Sequence, residues 1–352
     1  MTPGGGVAIA IETRQPQIMP SSRSPLIPGL IALLGLLSLA SLVIGPAPIT
    51  PWMAAKALVS DQGSASIVVR DIRLPRTLLA LLIGWIFGLT GAGLQGLLRN
   101  PLADTAVFGA PQASAFGAVL VLYFGLVGAL SWILPLAAIA GALVSIALVV
   151  LVAGRRATVA VFILAGLVVG SLAGAGTSLA ISLSPNPYAV TEIVFWLLGS
   201  LEDRSMIHVG LASPFILVAS ALVLAASSDL RALALGEETA KSLGVSVMRL
   251  RLLIVAGAAI GTGASVAVAG SIGFVGLVAP HLVRPFAGYD PARTLVPAGL
   301  AGAALLLAAD CAVRLIPSLT EIKIGVFTAI LGVPFFLWVI ARRKAELMET
   351  PA

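Results

Sequence analysis

The chain has 352 residues, of which 59% are hydrophobic and only 10% are charged. Its mean hydropathy is +1.08, whereas soluble domains are roughly 45–50% apolar and about 25% charged. This composition excludes an ordinary soluble fold and predicts an all-α, polytopic membrane protein whose surroundings are membrane lipid. The net charge of +6 lies singly or in small groups between apolar runs. That distribution is typical of membrane topology and not of a phosphate-binding stripe, so no nucleic-acid partner is expected.

The N-terminal segment 1–25 is polar, contains Gly4, Gly5 and Gly6, and is predicted to be a poorly ordered cytoplasmic tail. Arg14 and Arg23 precede the first apolar run, as in a signal peptide. That run is longer than a signal core of roughly 7–15 residues, which predicts a retained helix.

About ten transmembrane helices are predicted from the stretches that lack Asp, Glu, Lys and Arg, because about 20 apolar residues cross a bilayer core. Two long stretches are divided, one at 125–131 and one at 270–273. A short amphipathic helix near 189–200 is predicted at a membrane interface. The domain assignment is one permease domain over 26–343 and a cytoplasmic tail over 344–352. The expected spans are 26–45, 76–97, 105–124, 131–152, 159–182, 208–227, 250–269, 274–287, 293–316 and 324–341.

The basic residues predict the orientation. With both termini placed inside, the inner loops hold 14 Lys and Arg residues and the outer loops hold 7. This bias favours cytoplasmic termini. Outer positive charge then requires a reason, because Arg73, Arg76, Arg314 and Lys323 all fall on that side.

Glycine patterns indicate helix packing. Gly91-Ala-Gly93-Leu-Gln-Gly96 fits a dinucleotide fingerprint, but that fingerprint requires a strand before it and a helix that starts on it. Here the pattern ends an apolar helix, so small-residue packing is the interpretation. The pairs Gly84/Gly88 and Gly257/Gly261 have the spacing that lets membrane helices approach closely.

Several kinds of chemistry are excluded by the sequence. It contains no G-x-x-x-x-G-K-[ST] motif, so the chain is not expected to be an enzyme that hydrolyses ATP through a P-loop. No clustered Cys and His residues predict a metal site, and no cofactor is expected. Asp310 is the one carboxylate near a span interior, and an i,i+4 pair with Arg314 is expected to satisfy it. A carrier driven by an ion gradient would need such a carboxylate to be functional, and it stays as the alternative function.

The segment 229–249 is the longest polar stretch after the N-terminus. Gly236 and Gly244 bracket a predicted short helix with an apolar side, and such a helix can dock in a groove of a partner. A solvated connector is the alternative interpretation. The residues assigned to coupling with an ATPase are Asp229, Arg231, Gly236, Glu237, Glu238, Lys241, Leu243 and Gly244.

Four blocks of this sequence resemble the iron–siderophore/vitamin B12/haem permease family, the membrane subunits of binding-protein-dependent ABC importers. The resemblance runs from about Ile67 to Arg343. The blocks are Arg73-Leu-Pro-Arg76-Thr-Leu with Gly93-Leu-Gln95-Gly96-Leu-Leu-Arg99-Asn100-Pro101-Leu-Ala-Asp104; Phe195-Trp196-Leu-Leu-Gly199-Ser-Leu; Leu233-Ala-Leu-Gly236-Glu237 through Leu243-Gly244; and Gly270-Ser-Ile-Gly273-Phe-Val-Gly276-Leu-Val-Ala-Pro280-His281 with Ala309-Asp310 and Arg314.

The resemblance implies a type II ABC importer permease with ten helices in the bacterial cytoplasmic membrane. It implies a homodimer, or a pair of homologous permeases, with two cytoplasmic ATPase subunits attached through 229–249. It also implies an extracytoplasmic substrate-binding protein that delivers a ferric chelate, with a siderophore first and haem or cobalamin as alternatives. Arg73, Arg76 and Arg314 are then expected to dock acidic residues of the binding protein, since guanidinium groups suit carboxylates. Anchoring of Arg73 and Arg76 at lipid headgroups is the alternative.

Two departures from the family pattern lie near the expected path of the ligand. Thr105 follows Asp104 where the family often has Pro, and Lys323 stands where the family often has Pro before the last helix. Both weaken any transfer of substrate identity from the family to this chain.

Overall fold

The computed structural model describes residues 25–59, 63–126, 132–154, 159–317 and 321–349. Within these ranges all regular structure is helical. Arg14, Arg23 and the predicted disordered segment before Pro25 lie outside the described residues. The α-helices are α1 (Leu26–Val43), α2 (Pro51–Val59), α3 (Ser64–Ile67), α4 (Leu74–Leu98), α5 (Ala110–Tyr123), α6 (Ile133–Ala153), α7 (Val159–Leu183), α8 (Pro187–Leu197), α9 (Met206–Ala225), α10 (Ser227–Ala234), α11 (Glu237–Ser242), α12 (Val247–Ala269), α13 (Val275–Val283), α14 (Pro291–Leu315) and α15 (Ile324–Glu349).

Each of the ten predicted spans coincides with a helix, which confirms the all-α membrane fold. In the part of the chain that the structure describes, seven helical segments are long and apolar enough to cross a membrane, including the continuous stretch Ser64–Leu97. That stretch joins α3 to α4 through a π-helical segment, Val68–Arg73. The remaining predicted spans are α5, α13 and α15. The short helix α8 lies where a short helix is expected near 189–200, and the Asn186 side chain caps it by accepting from the Tyr188 amide at 3.0 Å.

The predicted break at 270–273 separates α12 from α13. Gly270 ends α12 with φ of 69°, and Phe274 begins α13 with φ of 67°. A left-handed backbone is rare for a bulky residue such as phenylalanine. Phe274 lies over Gly332 of α15, where any side chain beyond hydrogen would overlap the phenylalanine ring.

The core of the bundle consists of α4, α12 and α14, whose most apolar windows are 78%, 78% and 72% buried. The corresponding windows of α1, α6, α7 and α9 are only 11–33% buried, so these helices surround the core. Without a hydrophobic force between helices in lipid, close packing of small residues holds such helices together. A Cβ on Gly84 or Gly88 would overlap the backbone of α14 at Gly302 or Ala298.

The dinucleotide-like glycines are packing residues, as predicted. A Cβ on Gly91 would overlap the carbonyl of Gly276 in α13. A Cβ on Gly93 would come within 3.2 Å of Ile254 and Val223, which tightens the contact of α4 with α12 and α9.

Candidate functional site

The residues with predicted functions lie at the two ends of the bundle. We call the end that holds Arg73, Arg76 and Arg314 the arginine end, and the end that holds α10 and α11 the coupling end. The arginine end contains the predicted docking residues, and the coupling end contains the predicted ATPase-contacting segment.

Arg73 binds backbone carbonyl groups at the end of α1 and in the turn that follows it. Its side chain is buried, with 3% exposure. Nη1 donates to the carbonyl oxygens of Leu42 at 2.9 Å and Val43 at 2.7 Å, and Nη2 donates to that of Ala47 at 2.7 Å. The guanidinium therefore satisfies carbonyl groups that α1 leaves open at its C-terminus.

Arg76 binds two carboxylates from distant parts of the chain. Nε donates to Asp310 Oδ1 of α14 at 2.7 Å. The two Nη groups hold both oxygens of Glu321, with Nη1 at 3.0 Å from Oε2. Bidentate pairing of this kind is the strongest geometry for an arginine and a carboxylate.

Arg314 is the third arginine at this end of the bundle. Its predicted i,i+4 ion pair with Asp310 is confirmed, with 2.8 Å between Nη2 and Oδ2. Its Nη1 also donates to the carbonyls of Ser41 and Ile44, each at 2.9 Å, and its Nη2 donates to Ser41 Oγ at 2.6 Å. Arg314 thus ties α14 to the end of α1.

All three predicted docking arginines are brought together, but each lies inside the protein with acceptors of its own. Their docking role stays a prediction. The acceptors in the α1–α2 turn and the pairing of Arg76 with Asp310 and Glu321 were not predicted from the sequence. These partners lie 26 to 245 residues away along the chain.

A second cluster at the arginine end involves Lys323. Its Nζ lies 2.7 Å from Glu202 Oε2, in the loop between α8 and α9, and 5.8 Å from the centre of the Phe195 ring. Both contacts need the ammonium group of Lys323. Proline, which the family often has at this position, has no such group. Lys323 and Glu202 also line a cavity of about 480 Å³.

Arg204 lines the same cavity. Burial lowers the pKa of its guanidinium, while the charges of Asp203 and Glu202 raise that pKa. Among the described residues its Nε has no hydrogen-bond partner. The other charged residues of the cavity wall are Glu192 and Asp203, and the half-buried His208 lines the cavity as well.

At the coupling end, the predicted short helix is α11, and it lies between Gly236 and Gly244 as expected. Both glycines have a positive φ, 115° and 84°, which other residues rarely adopt. Gly236 therefore permits the sharp change of direction from α10 into α11.

Ion pairs hold α10 and α11 to the bundle. Glu237 lies 3.3 Å from Arg251 of α12. Arg231 of α10 lies 2.9 Å from Asp290, the N-cap of α14.

Lys241 pairs with Glu238 at 2.9 Å and with Glu237 at 3.3 Å, which confirms the i,i+4 pair. Hydrogen bonds to Glu238 and Glu237 raise the pKa of Lys241. Asp229 is half-buried and accepts from Ser228 Oγ at 3.3 Å.

The apolar side of this segment is divided between the core and the surface. Leu233 and Ala240 are buried, whereas Leu235 and Leu243 are 67% and 62% exposed. Two exposed leucines on a rigidly held helical segment form a surface on which the groove of a partner can close.

The first departure from the family pattern, Thr105 where the family often has proline, has a local structural reason. Thr105 donates its backbone N–H to Asp104 Oδ1 at 2.6 Å and its hydroxyl to the same oxygen at 3.3 Å. Proline cannot make either bond. Burial raises the pKa of the Asp104 carboxyl, and the hydrogen bonds from Thr105 lower it.

No metal cluster of three or more His, Cys, Asp or Glu side chains occurs among the described residues. The two histidines have separate surroundings. His208 Nδ1 lies 3.1 Å from the Ser205 amide, and His281 packs edge-on against Phe335.

Long apolar faces remain uncovered on α7 and α15. On α7, Leu164, Leu172 and Leu183 are at least 60% exposed, and Gly174 has nothing within 4 Å of a built Cβ. On α15, Ile330 and Leu337 are each 62% exposed. These faces contact either lipid or another protein chain.

Comparison with known proteins identifies the architecture. Residues 32–342 match the FecCD transport family. The Bacillus subtilis protein named Fe(3+)-citrate import system permease protein YfmE is 35% identical over 88% of this chain and 93% of its own length. The Halobacterium salinarum cobalamin import system permease protein BtuC is 37% identical over 81% of this chain and 76% of its own length.

A solved structure has the same fold. It is an inward-facing conformation of an ABC transporter assigned to the metal-chelate type, with a TM-score of 0.81 and 32% sequence identity. The match covers 90% of this chain and 98% of that chain. The chain belongs to the FecCD transport family, and it is a multi-pass membrane permease of the ABC importer class.

Proposed function

We propose that the chain is the membrane subunit of an ATP-driven importer that carries a metal chelate across the bacterial cytoplasmic membrane. Ferric siderophore is the proposed cargo, and haem, cobalamin and ferric citrate are the other candidates. Support for a chelate comes from relatives whose names specify Fe(3+)-citrate and cobalamin import. The arginine end is placed outside and both termini are placed in the cytoplasm, in keeping with the distribution of basic residues.

The observation that carries the proposal is the construction of the coupling end. α10 and α11 are fixed to α12 and α14 by the Glu237–Arg251 and Arg231–Asp290 pairs, yet they present Leu235 and Leu243 to solvent. A segment held in this way can transmit the movement of a bound partner to the core helices. Since the sequence contains no P-loop, two separate cytoplasmic ATPase subunits supply the energy.

A pair of substitutions tests the coupling surface. In the purified full-length chain mixed with its ATPase, Leu235→Asp with Leu243→Asp removes the apolar contact and is expected to abolish co-purification. Ser228→Asp, an exposed position on α10, is the matched control and is expected to keep it. Equal co-purification of the leucine variant and the control would reject the assignment.

The apolar faces of α7 and α15 are proposed to meet the same faces of a second copy around the translocation path. Their open leucines and Gly174 are features of a membrane helix interface. In the proposed cycle these helices repack when the ATPase closes. A translocation path whose wall has little buried charge lets the cargo leave, because tight binding would slow its exit.

The alternative, a carrier driven by an ion gradient, needs a titratable carboxylate inside the membrane. Among the described residues, Asp310 is the only carboxylate with a fully buried side chain, and Arg76 and Arg314 both pair with it. This pairing favours the ATP-driven importer over the ion-driven carrier.

Reconstitution separates the two functions. Proteoliposomes that contain the chain, its ATPase and its binding protein are expected to accumulate ferric siderophore only with enclosed ATP, and an uncoupler is expected to have no effect. Proteoliposomes with the chain alone are expected to accumulate none. Uptake by the chain alone that collapses with an uncoupler would instead establish the carrier.

The docking role of Arg73, Arg76 and Arg314 remains part of the proposal. An extracytoplasmic binding protein with acidic lobes would approach this end, where Glu321 is the outermost member of the Arg76 group at 21% exposure. A partner carboxylate can reach Arg76 only by replacing Glu321. Binding-protein affinity should therefore rise in Glu321→Gln and fall in Arg76→Gln if docking uses this arginine.

A further inference from the structure

The segment 321–325, which we call the strap, leads into α15 and is held by charged side chains at two points. Glu321 binds the guanidinium of Arg76 on α4. Two residues later, Lys323 binds Glu202 at 2.7 Å in the loop between α8 and α9. The strap therefore connects the arginine group of the core to the surroundings of α8 through two ion pairs.

Backbone contacts next to these ion pairs also hold the strap in place. The Gly325 amide donates to the Gly199 carbonyl at 3.3 Å. A Cβ on Gly325 would overlap the carbonyls of Leu198 and Ser271. Because the strap lies directly on the residues that end α8, its displacement must also displace that loop.

The loop that ends α8 is fixed in turn to the break between α12 and α13. The Ser200 amide donates to the Ala269 carbonyl at 2.8 Å, and a Cβ on Gly270 would overlap the carbonyl of Trp196. Three chain segments thus meet at one tight junction, and the strap is the segment whose charged side chains reach outward to other elements.

We propose that Glu321 and Lys323 are positioning residues that mechanically link the Arg76 group to α8 and the start of α15. This inference rests on the proposed function, in which an acidic partner docks at the Arg76 group and α15 borders the path of the cargo. When a carboxylate of a docked partner takes the place of Glu321 on Arg76, the strap loses its ion pair with α4 and stays attached to the loop after α8 through Lys323. Binding of the partner at Arg76 is thereby transmitted to the outer end of the path of the cargo.

Distance measurements on the chain alone test the link. Spin labels are placed at Val194→Cys on α8 and Leu315→Cys at the end of α14, both exposed, after Cys311→Ser removes the single native cysteine. In lipid nanodiscs the parent is expected to give one narrow distance distribution. Lys323→Gln and Glu202→Gln are each expected to add the same second, longer distance, because each breaks the same bond.

Three further variants separate a positioning role from a loss of folding. The charge swap Lys323→Glu with Glu202→Lys is expected to restore the single narrow distribution. Glu321→Gln is expected to produce a longer distance at α8 although it does not touch α8, and Glu321→Asp is expected to restore the parent distribution partly. Lys241→Gln, which breaks a pair at the coupling end, is the control and is expected to change nothing.

The proposal is overturned if Lys323→Gln or Glu321→Gln leaves the distribution unchanged, or if the charge swap fails to restore it. These outcomes do not depend on transport, since the measurement uses neither ATPase nor cargo. An absence of ATP-driven uptake, with the expected distances observed, would reject the importer function and leave the mechanical link in place.

Discussion

Arg76 and Asp310 form a buried ion pair between α4 and α14, with 2.7 Å between Nε and Oδ1 and side-chain exposures of 7% and 0%. Arg314 approaches the other oxygen of Asp310 at 2.8 Å, and Glu321 binds the far side of Arg76. Two arginines and two carboxylates therefore neutralise one another where little water reaches. In such a group, removing one charge leaves its neighbours buried without compensation.

Asp310→Asn should consequently destabilise the protein strongly. Breaking a buried pair by removing one partner costs about 3–5 kcal/mol, and here two arginines each lose one carboxylate partner. Unfolding of the detergent-solubilised chain, followed by denaturant titration, measures the change. Glu238→Gln removes the carboxylate from an exposed pair at the coupling end and is the control, with no measurable change expected. Equal stability of Asp310→Asn and the parent would show that the ion group does not hold α4 to α14.

Gly88→Ala tests the contact between α4 and α14. Its Cβ would overlap the carbonyl of Ala298, and overpacking of a tight core usually costs about 1–3 kcal/mol. Gly210→Ala on α9 is the matched control, because that helical glycine has open space around it and alanine favours a helix. Thermal unfolding should separate the two variants. A control that loses as much stability as Gly88→Ala would contradict the packing explanation.

Much of the fold could be predicted from the sequence because a membrane helix must satisfy its own backbone groups. Each span is therefore a long apolar run, and the break after Gly270 is marked by glycine. The short helix α2 and the π-helical segment that includes Arg73 were not predicted. Both lie in a mixed-polarity stretch, where neither length nor periodicity distinguishes helix from loop.

The surroundings of the candidate site could be predicted only in part. Charges near the end of a span show which side they face, but their sign cannot tell whether they point to solvent or to a buried partner. The pairing of Arg314 with Asp310 was predictable because the two residues are one helical turn apart. The pairing of Arg76 with Asp310 joins residues 234 positions apart, and only the tertiary structure brings them together.

A pH titration tests the surroundings of Asp104. Burial raises the pKa of its carboxyl in the folded chain above the ordinary value of 3.8. The folded state therefore binds a proton more tightly than the unfolded state, so this group lowers stability as pH rises from about 3.8 through the folded-state pKa. Asp104→Asn removes the effect while its oxygen can still accept from the Thr105 amide.

The difference in unfolding free energy between Asp104→Asn and the parent should consequently grow in favour of the variant from about pH 4 and become constant above the folded-state pKa. A constant difference across the whole pH range would indicate that the Asp104 carboxyl titrates as it does in the unfolded chain.

Arg73→Lys distinguishes a structural role from a docking role for this arginine. Lysine keeps the positive charge, but its single ammonium cannot reproduce the planar fork that reaches the carbonyls of Leu42, Val43 and Ala47. We expect faster amide hydrogen exchange over 42–50 and a stability loss of about 1–3 kcal/mol, the cost of buried acceptors that lose their donors. Lys56→Arg, at an exposed position of α2, should leave both measurements unchanged. If Arg73 serves only to attract an acidic partner, the lysine variant will instead keep the exchange rates of the parent, because the charge that attracts the partner is still present.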